Sequence, residues 1–306
     1  MPGSSNVATM ISSRSLGPRT ALAITALAEF LGPFIFGVAV ATTIGDEVVE
    51  AQAITIHILL AALLSAIVWN LVTWFFGIPS SSSHALIGGL VGAVSISAGI
   101  DAILLSGIEK ILIALFFSPL IGFAMGFLFT KVIFFLARAA SPKINNFFRR
   151  SQVVTAVALA LSHGTNDAQK TMGIITLGLV TAGVIPSFVV PFWVIVISAG
   201  AIALGTALGG WRLIKTLGAK FYKIRPVHGF SSQVTSAFVI LSASLFGGPV
   251  STTQVVSSSI MGVGSADRVN MVRWGVARDI LIAWMVTIPS TAGMAAGIYW
   301  LMMNFF

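Results

Sequence analysis

Phe76-Gly77-Ile78-Pro79-Ser80-Ser81-Ser82-Ser83-His84 returns 170 residues later as Phe246-Gly247-Gly248-Pro249-Val250-Ser251-Thr252-Thr253-Gln254. In both stretches a Phe-Gly pair closes an apolar run, a proline follows, and three hydroxyl residues open the next run. Proline and then Ser or Thr is how a helix begins, because proline presets φ and the hydroxyls accept from free N–H groups of the first turn. Working outward at the same spacing, Gly92 falls on Gly262 and Pro119 on Pro289, while Ile111-Leu112-Ile113-Ala114 matches Ile280-Leu281-Ile282-Ala283 one residue out of step. The chain is a two-fold repeat, with the first half in residues 1–150 and the second in 151–306.

The solvent for these halves is a bilayer. Of the 306 residues 57% are hydrophobic and 8% charged, against about 25% charged in a soluble globular protein. The apolar residues come in runs long enough to cross a hydrocarbon core of about 30 Å. Nine such segments span 20–44, 51–76, 79–98, 111–137, 152–181, 188–209, 230–247, 249–265 and 274–304. Segments 79–98 and 249–265 are short and glycine-containing, and they read as broken or re-entrant helices. The fold class is therefore an all-α integral membrane protein. Seven Trp, 22 Phe and 30 Gly suit a bundle with interfacial aromatics and close helix contacts.

The net charge of +8 does not point to nucleic acid, because the basic residues lie in loops rather than on one face. Lysine and arginine accumulate on the cytoplasmic side of membrane proteins. Alternating the nine crossings from a cytoplasmic start puts Arg14, Arg19, Arg138, Lys143, Arg149, Arg150, Arg212, Lys215, Lys220, Lys223, Arg225, Arg268 and Arg273 inside. Asp46, Glu47, Glu50, Asp101 and Glu109 fall outside. The segment opening at Pro79 then starts from the cytoplasmic side and the one opening at Pro249 from the other, so the repeats are inverted. Inverted repeats with interrupted helices are a signature of secondary transporters, whose substrate lies near the midplane between the halves. With no cysteine, no Ser/His/Asp arrangement, no Walker loop and no dinucleotide fingerprint, nothing indicates an enzyme, an ATP-driven pump or an organic cofactor.

The most polar stretch inside a span is Ser162-His163-Gly164-Thr165-Asn166-Asp167-Ala168-Gln169-Lys170. A charge at the bilayer centre costs at least ~2.5 kcal/mol, so Asp167 and Lys170 face a polar cavity or a partner. At a spacing of three they are also placed to form a structural ion pair with each other. Gly164 is expected to interrupt the helix beside Asn166 and Asp167 and free carbonyl oxygens. Carboxylate, amide and carbonyl oxygen together suit a hard monovalent cation such as sodium, whereas Asp167 alone suits a proton. The Ser81-Ser82-Ser83 and Ser251-Thr252-Thr253 clusters have the opposite preference. Hydroxyls, free N–H groups and the positive end of a helix dipole converge on an oxyanion, or else merely cap their helices. His84 follows the first cluster and Gln254 the second; each is a donor to an anion or a packed polar residue. Glu29, beside Gly32-Pro33, is a further cation candidate.

These motifs resemble the inorganic phosphate transporter family of the PiT type over nearly the whole chain. Residues 162–173 are similar to its second-half signature, Pro249–Gln254 to its Pro-Val-Ser-Thr-Thr-His element, and Pro79–His84 to the first-half version. The resemblance implies inverted repeats, phosphate held between the paired Ser/Thr elements, sodium or protons as coupling ions at the Asn-Asp element, and a homodimer, while the short loops favour a place among the lipids of a bacterial or archaeal cell membrane over an organelle. Two departures stand out. Gln254 replaces a histidine, and the first half carries no Gly-x-Asn-Asp element, with Asn6-Val7-Ala8-Thr9 similar to the tail of one. A misplaced start or a real deletion would account for that, and the deletion would make the chain a non-transporting paralogue. Sulfate, another tetrahedral oxyanion, is the alternative substrate.

Overall fold

In a computed structural model of the chain, the described residues are 16–46, 48, 54–78, 80–209, 225–272 and 274–305. The Asn6–Thr9 stretch, Pro79 and the basic residues 212–223 lie outside them. Among the described residues the regular structure is entirely helical. In chain order the helices are α1 (Pro18–Phe36), α2 (Ala39–Asp46), α3 (Ile56–Phe76), α4 (Ser82–Ser97) and α5 (Leu105–Leu136). There follow α6 (Ile144–Thr181), α7 (Phe192–Gly209), α8 (Pro226–Leu245), α9 (Thr252–Asp267) and α10 (Trp274–Phe305). Short 3-10 turns at Ile100–Ala102 and Val269–Met271 precede α5 and α10.

The expected single crossing at 20–44 is two helices. Gly37, with φ of 82°, separates α1 from α2. Pro33 weakens the helix just before the break, since it has no N–H to give the Glu29 carbonyl. The ends exposed at the break are spliced by one buried side chain: Gln169 of α6 donates from Nε2 to the Gly37 carbonyl at 2.7 Å and accepts from Val40 N–H at 2.7 Å. An intramembrane break is tolerated where its orphan groups are satisfied in this way.

The sequence repeat reappears as a repeat of elements. Residues 82–97 of α4 correspond to 252–267 of α9, and both helices have 16 residues. At 1.5 Å per residue each is about 24 Å long, short of the hydrocarbon core. Helices α5 and α10 both have 32 residues, and each contains a proline at its middle, Pro119 and Pro289. The packing is also paired. Helix α4 lies against α3 and α10, while α9 lies against α8 and α5. Gly92 and Gly262 set the closeness of the two crossings, because a Cβ on either would meet a backbone carbonyl, of Ala292 or of Phe123, at 2.1 Å. Small residues at helix crossings hold membrane bundles together where lipid supplies no hydrophobic drive.

Large apolar side chains cover the outside, among them Phe75, Phe76, Leu120, Phe135 and Leu208, whereas Asn166, Gln169, Ser231, Gln233 and Ser259 are buried. Helices α1, α3, α5 and residues Ile280–Phe305 of α10 are long and apolar enough to cross a membrane. At one end of the bundle Arg225 and His228, at the start of α8, both reach the Asp267 carboxylate at the end of α9.

Candidate functional site

The polar stretch of α6 is the centre of the buried chemistry. Contrary to expectation, Gly164 does not interrupt it: α6 runs unbroken for 38 residues. The glycine instead admits α1, since a Cβ there would sit 2.1 Å from the Glu29 carbonyl oxygen. This close approach brings the Glu29 carboxylate to His163, whose Nδ1 lies 2.8 Å from Glu29 Oε1. The other imidazole nitrogen, Nε2, lies 3.1 Å from Asp167 Oδ2 one turn along α6. Thr206 of α7 donates to Glu29 Oε2 at 2.5 Å.

Asp167 and Lys170 do pair, at 2.6 Å. They also reach both Ser/Thr elements. Lys170 Nζ donates to Ser83 Oγ at 2.7 Å and to the Val250 carbonyl at 2.7 Å. Thr252 Oγ1 donates to Asp167 Oδ2 at 3.2 Å. Ser83 Oγ adds a bond to Val250 O at 3.2 Å, from α4 directly to the approach of α9. A single row of ionisable side chains, Glu29–His163–Asp167–Lys170, thus joins α1, α6, α4 and the segment entering α9. All four side chains are at most 7% exposed, so a charge on any of them depends on its neighbours rather than on solvent.

The remaining expected residues fall into two places. Ser82 lines a cavity of about 180 Å³ together with Asn70, Asp167, Lys170 and Thr171, walled by Leu63, Ala66, Ile67 and Leu86. Amide and hydroxyl groups of Asn70, Ser82 and Thr171 line it beside the Asp167–Lys170 pair, and they are able to donate to an oxyanion. Ser81 does not line this cavity. It caps α4 by accepting from His84 N–H at 3.2 Å, and its Oγ is 2.7 Å from His84 Nδ1. Gln254 Nε2 lies 3.4 Å from that same Nδ1. His84 and Gln254, which stand 170 residues apart at matching places in the two stretches, thus meet each other. Ser251 and Thr253 are buried near the start of α9, where Ser251 is the N-cap without a side-chain cap bond.

Asn166 is placed beside the second element rather than in the cavity lining. Its Nδ2 donates to Ser244 Oγ at 2.7 Å and to the Gly248 carbonyl at 3.2 Å, and its buried Oδ1 has no hydrogen-bond partner. Sequence reasoning left the role of His163 open and did not find Thr206 or Gln169. His163 lies four residues before Asp167, a spacing that predicts one helix face. The link to Glu29 and Thr206 had no such signal, because it needs α1 and α7 placed in space.

The model of the phosphate transporter family matches residues 3–295. The chain belongs to that family. Among its relatives, a probable low-affinity inorganic phosphate transporter of Bacillus subtilis (strain 168) is 45% identical over 300 residues, covering 97% of this chain and 90% of the relative. A protein of the same description from Rhizobium meliloti (strain 1021) is 43% identical, covering 96% and 89%. A solved structure described as the sodium-dependent phosphate transporter aligns over 100% of this chain and 96% of its own, with a TM-score of 0.89 and 25% identity. The family expected from residues 79–84, 162–173 and 249–254 is thereby borne out, as are an all-helical fold, a multi-pass place in the membrane and a transporter rather than an enzyme.

Proposed function

We propose that this phosphate transporter family protein is a secondary-active symporter that moves inorganic phosphate with a cation, sodium or proton. Two halves, 1–150 and 151–306, lie in opposite orientation in the membrane. Their Ser/Thr elements, Ser81-Ser82-Ser83 and Ser251-Thr252-Thr253, approach one phosphate from the two sides, with His84 and Gln254 between them. Asn166 and Asp167 hold the coupling ion, with Lys170 and Glu29 in support. The observation that carries this reading is the meeting of both elements at the buried Asp167–Lys170 pair, next to a donor-lined cavity.

The relatives' descriptions as inorganic phosphate transporters, and the structural neighbour's as sodium-dependent, support the substrate and the coupling. The protein works as a homodimer among membrane lipids. Reconstitution into liposomes tests the reading. Labelled phosphate accumulates under an imposed sodium or proton gradient and not without one, and excess sulfate leaves accumulation within about twofold. Accumulation unaffected by either gradient would remove the coupling, and displacement by sulfate would change the substrate.

A further inference from the structure

Lys170 is an unusual occupant for the place it holds. Its Nζ is bound by three oxygens of three kinds, the Asp167 carboxylate at 2.6 Å, the Ser83 hydroxyl at 2.7 Å and the Val250 backbone carbonyl at 2.7 Å. They come from α6, from the first turn of α4 and from the segment leading into α9. Neither the carboxylate nor the carbonyl has a proton to give. The Ser83 hydroxyl directs its own proton to Val250 O, so it too accepts from the lysine. Three acceptors need three N–H protons, which an ammonium has and a neutral amine lacks. With Asp167 ionised, as its contacts with Thr252 Oγ1 and His163 Nε2 favour, the nitrogen is a cation, coordinated as a bound ion would be.

Carboxylate, hydroxyl and carbonyl oxygens at this closeness are also what a hard monovalent metal ion takes from a protein. We infer that Lys170 is a tethered substitute for such an ion: its ammonium fills the seat made by Asp167, Ser83 and Val250, so that sodium does not bind there. The inference rests on the symporter reading for its consequence, since it fixes which coupling ion this seat excludes. A sodium ion on Asp167 Oδ1 would stand next to the ammonium and meet its charge at close range in a dry site. The lysine tether also spans the seat permanently, holding α4 to the α9 approach in the way a bound ion would do only when present. Lys170 is thus the residue that sets ion specificity at this position.

The test is sodium binding to purified protein, followed with the radioactive ion itself. Lys170→Ala and the length-preserving Lys170→Met each bind one more sodium per chain than the wild type, while Lys170→Arg binds no more than the wild type. No additional sodium in either shortened or neutral variant, checked to be monodisperse, overturns the inference. The wild type gives a second measurement that needs no variant. In a crystal structure of the wild type grown in sodium, Lys170 Nζ stays on Asp167, Ser83 and the Val250 carbonyl with no ion in that seat, and a sodium ion coordinated there would overturn the inference. Failure of the symporter reading looks different: the wild type then takes up no phosphate under any gradient, whatever the sodium count of the variants.

Discussion

Ser81–His84 and Ser251–Gln254 open helices of the same length at matching places in the chain, yet they are bonded differently. In the first, Ser81 caps its helix and binds His84, and Ser83 receives the lysine. In the second, Ser251 makes no side-chain cap, and Thr252 turns to the carboxylate instead. Matching helix starts thus meet one ion pair differently: the first takes its positive end through Ser83, whereas the second meets both ends, through the Val250 carbonyl and Thr252 Oγ1. The repeat supplies matching helix starts, and the Asp167–Lys170 pair of α6 meets them unequally.

Breaking the ion pair itself has the largest expected effect. Asp167→Asn leaves the Lys170 ammonium buried without its countercharge, a loss of about 3–5 kcal/mol. Phosphate uptake falls by about a hundredfold or more at equal protein in the membrane, measured with labelled phosphate. Uptake near the wild-type rate would remove Asp167 from the coupling machinery.

The next test sets the halves against each other. Ser83→Ala strips an acceptor from the buried ammonium, at a cost of about 1–3 kcal/mol, and weakens phosphate affinity about tenfold. Its counterpart Thr253→Ala leaves the bonds of the ion pair in place and weakens affinity too, but several-fold less than Ser83→Ala. Titration calorimetry on the two purified variants reads the difference, and equal losses would mean that the site is symmetric after all.

Smaller still is the contrast between the caps. Ser81→Ala removes a side-chain cap worth about 1 kcal/mol and lowers the melting temperature by about 2–4 °C. Ser251→Ala has no such bond to lose and leaves the melting temperature within about 1 °C on that account. Gln254→His retains a hydrogen-bond donor at the contact with His84, and uptake by this variant stays within about twofold of wild type.

The sequence already carried the frame of this comparison. Phe76–His84 and Phe246–Gln254 announced two helix starts, and their composition and spacing placed α4 and α9 to within a few residues. The ionisable Asp167 and Lys170 were visible because charges inside apolar runs are expensive. Other features depended on three-dimensional proximity. Gly164 reads in one dimension as a helix breaker, but here it serves as the contact point for Glu29 while the helix continues through it. The break in fact falls at Gly37, made tolerable by a Gln169 side chain more than 130 residues away. No local pattern predicts such a splice, because the partner that satisfies the broken ends is chosen by packing. Likewise Glu29, His163 and Thr206 form one row only after α1, α6 and α7 are assembled.

That two Ser/Thr elements build one phosphate site through Asp167 and Lys170 is most directly tested by a double-mutant cycle across the halves. Phosphate dissociation constants are measured for wild type, Ser83→Ala, Thr252→Ala and the double variant under one set of ionic conditions. Residues in one hydrogen-bonded network couple by about 0.5–3 kcal/mol, and a coupling energy of about 1 kcal/mol or more is predicted for this pair. Losses that add to within about 0.3–0.5 kcal/mol would show two independent elements and contradict the shared site.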